Sequence, residues 1–400
     1  MTSDVIAAYR VRRGRWTVEP MTAVLAPDAA RAPHRRDVFA HLGPNWFATV
    51  MGTGIVANAA GVLPLRLPGL RPAATLVWAL AAGLLVLLTV AWAVHLRRHR
   101  ATALGHAADP VMAQFWGAPP MAAMTVGGGT LLLGQDWLGL HTAVVVDAVL
   151  WVAGTAGGLV TAVAIPYLMM TRHRSGPDAA FGGWLMPVVP PMVSAANGAL
   201  LVPHLPAGQL RLDLLLAGYA LFGMSLVATL IILPQLWARL VRHHAGPARL
   251  VPTLWIVLGP IGQSITAAHL LGVAATAVLP APYSTGAQVF AVFYGVPAFG
   301  FAVLWLALAA AITVRAARSD EGLPFTLAWW SFVFPVGTLV TGTAGLATRS
   351  HAAGLTVLAV TLYLLLVVAW STVAIRTLHG ARHGDLLRTP RARHSRPQRV

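Results

Sequence analysis

Titratable side chains are scarce in the apolar parts of this 400-residue chain, and their spacing limits the chemistry they could do. Asp147, about one and a half turns into one apolar stretch, and His269, near the end of another, are the candidates for relaying a proton. His141 and Asp147 come nearest to forming an acid-base pair, but a separation of six residues places them on different faces of a helix. A membrane-embedded enzyme acting on a lipid would need paired carboxylates or a His/Asp cluster to hold a metal or a substrate phosphate, and the sequence offers none. The lack of cysteine removes thiolate ligands and nucleophiles. Gly52-Thr53-Gly54-Ile55-Val56-Ala57 matches a dinucleotide fingerprint in letters only: it lies inside an apolar run, with no preceding strand and no suitable acid about 20 positions on. No cofactor is expected. What remains is a set of neutral polar groups, among them Thr53, Asn197, Gln263 and Thr338, embedded in apolar stretches rich in glycine and proline. Such groups attract ions weakly, through dipoles, and release them easily, which suits passage better than turnover.

The elements that must position these groups are written in a repeat. A tryptophan followed closely by proline or glycine recurs about every 70 residues: Trp46 with Gly52 and Gly54, Trp116 with Pro119, Trp184 with Pro187, Trp255 with Pro260, and Trp330 with Pro335. Each opens an apolar stretch, and a plainer apolar stretch follows it. Hydrophobic residues make up 57% of the chain and charged residues 10%, with a mean hydropathy of +0.70, more than the core of a soluble protein requires. The pattern predicts an all-α integral membrane protein with ten spans, placed at 44 to 63, 72 to 96, 117 to 134, 142 to 170, 184 to 202, 210 to 240, 252 to 273, 286 to 312, 324 to 346 and 352 to 376. These pair into five hairpins within a transporter domain of residues 44–376, flanked by Arg-rich tails at 1–43 and 377–400.

Glycine, proline, hydroxyl and amide side chains concentrate in the odd-numbered spans, whereas even spans are mostly Leu, Val and Ala. Proline frees backbone carbonyls that hydrocarbon cannot satisfy, so the odd spans are expected to face protein or water while the even ones shield them from lipid. The net charge of +16 comes from 28 arginines. With both termini inside, 24 of them fall on the cytoplasmic side and four outside, which orients the chain in a cell membrane and makes anionic headgroups, not nucleic acid, the partners of that charge. Without acidic residues at mid-depth in the odd spans, and with an Arg-rich inner mouth, small anions are the favoured substrate.

Five segments recur in order: Gly43-Pro44-Asn45-Trp46-Phe47 running into Met51-Gly52-Thr53-Gly54-Ile55, Phe115-Trp116-Gly117 with Pro120-Met121, Met186-Pro187-Val188-Val189-Pro190, Gly259-Pro260-Ile261-Gly262-Gln263, and Trp329-Trp330 before Phe332-Val333-Phe334-Pro335. In these the chain resembles the tellurite-resistance/dicarboxylate transporter family, which includes plant guard-cell anion channels, fungal malate permeases and sulfite efflux pumps. The resemblance implies quasi-fivefold symmetry around a central pore in each subunit of a homotrimer, and a phenylalanine before the last proline kink that plugs the pore, here Phe334. Thr53, Gly54, Gly128, Asn197, Gly262, Gln263 and Thr338 are then expected to line the pore. The implied function is transport of sulfite, a C4-dicarboxylate such as malate, or a similar small anion, by a channel or by a proton-coupled carrier.

Overall fold

In the computed structural model, described for residues 40–65, 67–174, 176–384 and 386, the chain is helical, with no strand among the described residues. Its elements are α1 (Phe47–Val62), α2 (Leu70–Arg98), the short α3 (Arg100–Gly105), α4 (Ala118–Gly129), the single turn α5 (Gln135–Leu138), α6 (Leu140–Thr171), α7 (Pro190–Leu201), α8 (Gln209–His243), α9 (Leu258–Ala275), α10 (Tyr283–Ala317), α11 (Phe334–Ser350) and α12 (Ala353–Arg382). The odd spans of the sequence correspond to α1, α4, α7, α9 and α11 with their lead-in turns, and the even spans to α2, α6, α8, α10 and α12. α12 runs through Arg382, six residues past the expected end of the last span. Residues 1–39 and 387–400, most of the two expected tails, lie outside the described residues.

The two sets differ because their sequences do. Rich in Leu, Val and Ala, the even helices run unbroken for 29 to 35 residues. Every odd segment instead opens with a 3₁₀ stretch: Pro44–Trp46, Met112–Gly117, Gly182–Leu185, Ala248–Val257 and Leu327–Phe332. Each of the five recurring tryptophans falls inside one of these stretches. Proline follows closely in four of them; without an N–H to donate, it fits the first turn of the α-helix that begins there. The lead-ins and breaks shorten α1, α4 and α7 to 16, 12 and 12 residues, so seven helical stretches among the described residues are long and apolar enough to cross a membrane. In α4 the run Gly127-Gly128-Gly129 gives way to a π turn at Thr130–Gly134, so the third span is not the single α-helix its hydropathy suggested.

Burial separates the sets further. In the apolar windows of α12 and of the segment containing α11, 22% and 89% of residues are buried, a contrast that puts one on the periphery and the other inside. α1 packs on α4, α4 on α7, α7 on α9, α9 on α11, and α11 back on α1, so the odd helices close a ring of contacts while each also packs on the even helix that follows it. Left-handed glycines Gly69 (φ 81°) and Gly139 (φ 78°) let the chain reverse into α2 and α6, a backbone conformation costly for a side chain with a Cβ. Outer-helix indoles satisfy inner-helix groups: Trp78 Nε1 donates to Thr130 Oγ1 (3.2 Å), Trp151 Nε1 to Ser194 O (2.9 Å), Trp305 Nε1 to Leu254 O (2.9 Å) and Trp370 Nε1 to Thr53 Oγ1 (3.2 Å). Such bonds across membrane helices contribute on the order of 0.6 kcal/mol each, so their main effect is to fix register.

Candidate functional site

The starts of the odd segments converge on one small cavity of about 20 Å³, lined by residues of all five, among them Met51, Met121, Met186, Ile256, Trp330 and Phe334. That volume admits about one water molecule, and the lining is apolar apart from Ser331, short of the two or more polar partners a buried water needs. Phe334 is the first residue of α11 and Pro335 the second; the break after the 3₁₀ turn leaves Val333 at φ −102°, ψ −70° and directs the Phe334 ring into the cavity wall, 4% exposed. The ring therefore stands where the five inner segments come together.

Two turns farther along every odd helix, about 10 Å away, the residue type changes. Met51 leads by seven positions to Asn58, Met121 to Gly128, Gly259 to Thr266 and Phe334 to Thr341, while Val189 leads by eight to Asn197. A step of seven residues returns to nearly the same helix face. They make contacts between neighbouring inner helices, in two sets. Thr266 and Thr341 share a hydroxyl hydrogen bond of 2.7 Å, Asn58 Nδ2 donates to Thr125 O (3.0 Å), Asn197 Nδ2 donates to Met124 O (2.6 Å), and a Cβ at Gly128 would come 2.9 Å from Asn197 Oδ1. Apolar residues at the cavity are thus followed, two turns along the inner helices, by uncharged polar groups that form a polar layer between those helices.

The residues expected from sequence to line a passage are distributed differently. Phe334 lines the cavity, whereas Thr53, Gly54, Gly128, Asn197, Gly262, Gln263 and Thr338 do not. Thr53 accepts the Trp370 indole and so faces α12. At Gly54 a Cβ would meet Thr125 Cγ2 at 2.8 Å, against α4. Gly262 and Thr338 face each other between α9 and α11, where Thr338 Oγ1 donates to Pro335 O (2.7 Å). Gln263 is 4% exposed. Gly128 and Asn197 belong to the polar layer. The methionines at the cavity, and Asn58, Thr266 and Thr341, were not among the residues expected to line the pore, although a methionine follows each of the first three repeat tryptophans within five residues.

Asp147 is fully buried on α6 and faces Gly127 of α4, where a Cβ would lie 2.6 Å from its Oδ1; neither carboxylate oxygen has a hydrogen-bond partner. His141 is exposed, so the two do not meet. The His269 ring lies against Gly345 of α11, with Nδ1 buried and without a partner. Among the described residues, no group of three or more His, Asp or Glu side chains is arranged to hold a metal.

A ring of broken, buried helices inside a sheath of long apolar ones defines a multi-pass membrane protein whose interior is built around an axis. Residues 41–378 match the voltage-dependent anion channel family (SLAC1), and the chain belongs to that family. It is 27% identical to an uncharacterized transporter of Methanocaldococcus jannaschii, MJ0576, over 352 residues that cover 88% of this chain and 97% of the relative. It is also 26% identical to proteins named sulfite efflux pump SSU1 from Arthroderma otae (88% of this chain, 95% of the relative) and Trichophyton rubrum (90% and 97%).

Proposed function

We propose that this protein carries small anions across the membrane along the axis of the inner ring, with sulfite the first substrate to test and a C4-dicarboxylate such as malate the second. The observation that carries the reading is the convergence of five segment starts on the Phe334 cavity, with an uncharged polar layer two turns beyond. In this reading Phe334 is the gate. Its ring excludes water, and an anion cannot shed its hydration in an apolar neck of one-water size without great cost. When the ring moves aside, Asn58, Asn197, Thr266, Thr341 and the side-chain-free backbone at Gly128 offer dipoles to the passing ion without a charge that would trap it. Gly54, Gly262 and Thr338 serve the passage by holding the inner helices close to one another, and Thr53 by tying α1 to α12. A register of seven residues in four inner segments and eight in the fifth supports quasi-fivefold symmetry. The distribution of arginines supports cytoplasmic termini in a cell membrane, and anionic headgroups as contacts of the inner face. Assembly as a homotrimer belongs to the same reading. Sulfite is put first because relatives similar over nearly their whole length bear the name of sulfite efflux pumps.

Flux of labelled sulfite, malate and chloride measured side by side in proteoliposomes tests the proposal, which fails if none of the three moves faster than in protein-free vesicles.

A second reading, coupling of anion movement to protons, is favoured by Asp147. A carboxyl buried without a partner beside the glycine run of α4 is costly to keep charged, and such groups in membrane helices commonly mark proton paths. His269, the other candidate for that role, is better accounted for below.

A further inference from the structure

Arg349 is one residue from the end of α11, in the same third of the bundle as His269 of α9 and Gln288 of α10. Three contacts bring them together. Arg349 Nη1 donates to Gln288 Oε1 at 2.6 Å. The His269 ring lies on Gly345, one turn before Arg349 on the same face of α11 and so tight that a Cβ there would come within 2.9 Å of the ring. Gly272, one turn after His269, lets α9 approach the backbone of Gln288, with its Cβ position 3.5 Å from the Gln288 Cα. The resulting group has donors to spare and no acid to receive them. Arg349 has no ion-pair partner among the described residues, its Nε is buried without an acceptor, and His269 Nδ1 is likewise buried and unpartnered. A guanidinium that places only one of its donors on a neutral amide is under-satisfied, because the fork geometry matches two acceptor oxygens at once.

We propose that His269, Gln288 and Arg349 form an oxyanion-binding subsite at the end of the bundle where the odd helices finish. Arg349 supplies the charge and the fork, His269 a second donor, and Gln288 holds the guanidinium in place. The subsite takes a small oxyanion such as sulfite, or the same chemistry presented as a lipid phosphate. It rests on the anion-transport reading only for sulfite as the probe and for treating this end as the outer mouth.

The test is equilibrium dialysis of radiolabelled sulfite against the purified full-length protein. Gln288→Glu is the decisive variant: nearly isosteric, it keeps the bond to Arg349 while satisfying the guanidinium internally and repelling an anion. It should weaken sulfite binding by about tenfold or more, as should Arg349→Gln, while Arg349→Lys retains part of the affinity. Unchanged affinity in Gln288→Glu, with the protein eluting as the wild type does, overturns the subsite. Repeating the titration in phosphatidylcholine vesicles with and without phosphatidylglycerol separates the two sources: weakening by the anionic lipid assigns a headgroup phosphate as occupant, and no weakening assigns the free oxyanion. Absence of sulfite flux in the wild type, beside binding that Gln288→Glu abolishes, would end the transport reading and leave the subsite standing.

Discussion

Replacing Phe334 by alanine is the sharpest probe of the axial passage. The cavity beside the ring holds about 20 Å³, room for one water with Ser331 as its one polar side chain. Truncation to a methyl group merges the ring's volume with that cavity, and the enlarged neck can hold a connected file of waters instead of one unsupported molecule. An anion then keeps part of its hydration through the constriction until the Asn58 and Asn197 level, about 10 Å on. If hydration lowers the barrier by as little as 1.4 kcal/mol, flux rises about tenfold. Stability moves the other way: a phenylalanine-to-alanine change in a packed site costs about 3–5 kcal/mol, and the existing void puts Phe334 at the lower end. Sulfite and chloride flux in proteoliposomes, normalised to folded protein by gel filtration, should increase by about tenfold or more for Phe334→Ala, with Phe334→Leu between it and the wild type. Equal flux for all three folded proteins would refute the argument, since a side chain that does not set the neck cannot gate it.

Asp147→Asn, nearly isosteric and uncharged, should leave the protein folded, because no partner of the carboxylate is lost, and should flatten any dependence of sulfite flux on an imposed pH gradient; a dependence that survives removes Asp147 from proton coupling. Gly262→Ala places a methyl 2.6 Å from the backbone nitrogen of Leu339, where nothing flexible can yield, and should destabilise the α9/α11 contact by about 1–3 kcal/mol, read as a lower melting midpoint in detergent; an unchanged midpoint contradicts the close approach. His106 is held below the ordinary imidazole range by burial, followed by nearby His95, so its stabilising effect is present above about pH 6.5 and fades as pH falls toward its folded value. His106→Gln should therefore narrow the loss of thermal stability between pH 7 and pH 5, and an identical loss in both proteins contradicts that burial.

The repeat was legible in the sequence because it rests on local rules. Tryptophan followed by proline or glycine marks where each inner segment changes from 3₁₀ to α, and all five tryptophans read from spacing, proline or glycine and hydropathy together fall in such turns. Hydropathy located the long even helices to within a few residues for the same reason. Which face of an odd helix turns to the axis was not legible. α1 is buried from Phe47 through Ala60 and α11 from Phe334 through Ala347, so neither has an apolar stripe opposed to a polar one, and periodicity has nothing to report. Thr53 and Asn58 look alike in sequence. Only the Trp370 indole from a helix 317 residues away turns the first outward, and only contact with Thr125 O places the second in the polar layer.

The same division explains how one fold can hold a ring of broken helices in an apolar solvent. A continuous Leu-, Val- and Ala-rich helix satisfies nearly all of its own backbone and can face lipid, even with the single interior proline that α6, α8 and α10 each carry, whereas a helix interrupted by 3₁₀ and π turns exposes carbonyls and amides that lipid would leave unpaired. Sheathing each interrupted helix with a continuous one removes that penalty and leaves the interruptions turned inward, where Trp151 and Trp305 bond the Ser194 and Leu254 carbonyls. Because the sheath and the indoles meet the structural needs of the inner segments, the residues at the axis are released from packing the protein against lipid. On the proposed transport reading their composition is set by the ion: an apolar neck at Phe334 makes desolvation the barrier, and the neutral polar groups beyond it offer no deep well that would hold the ion back.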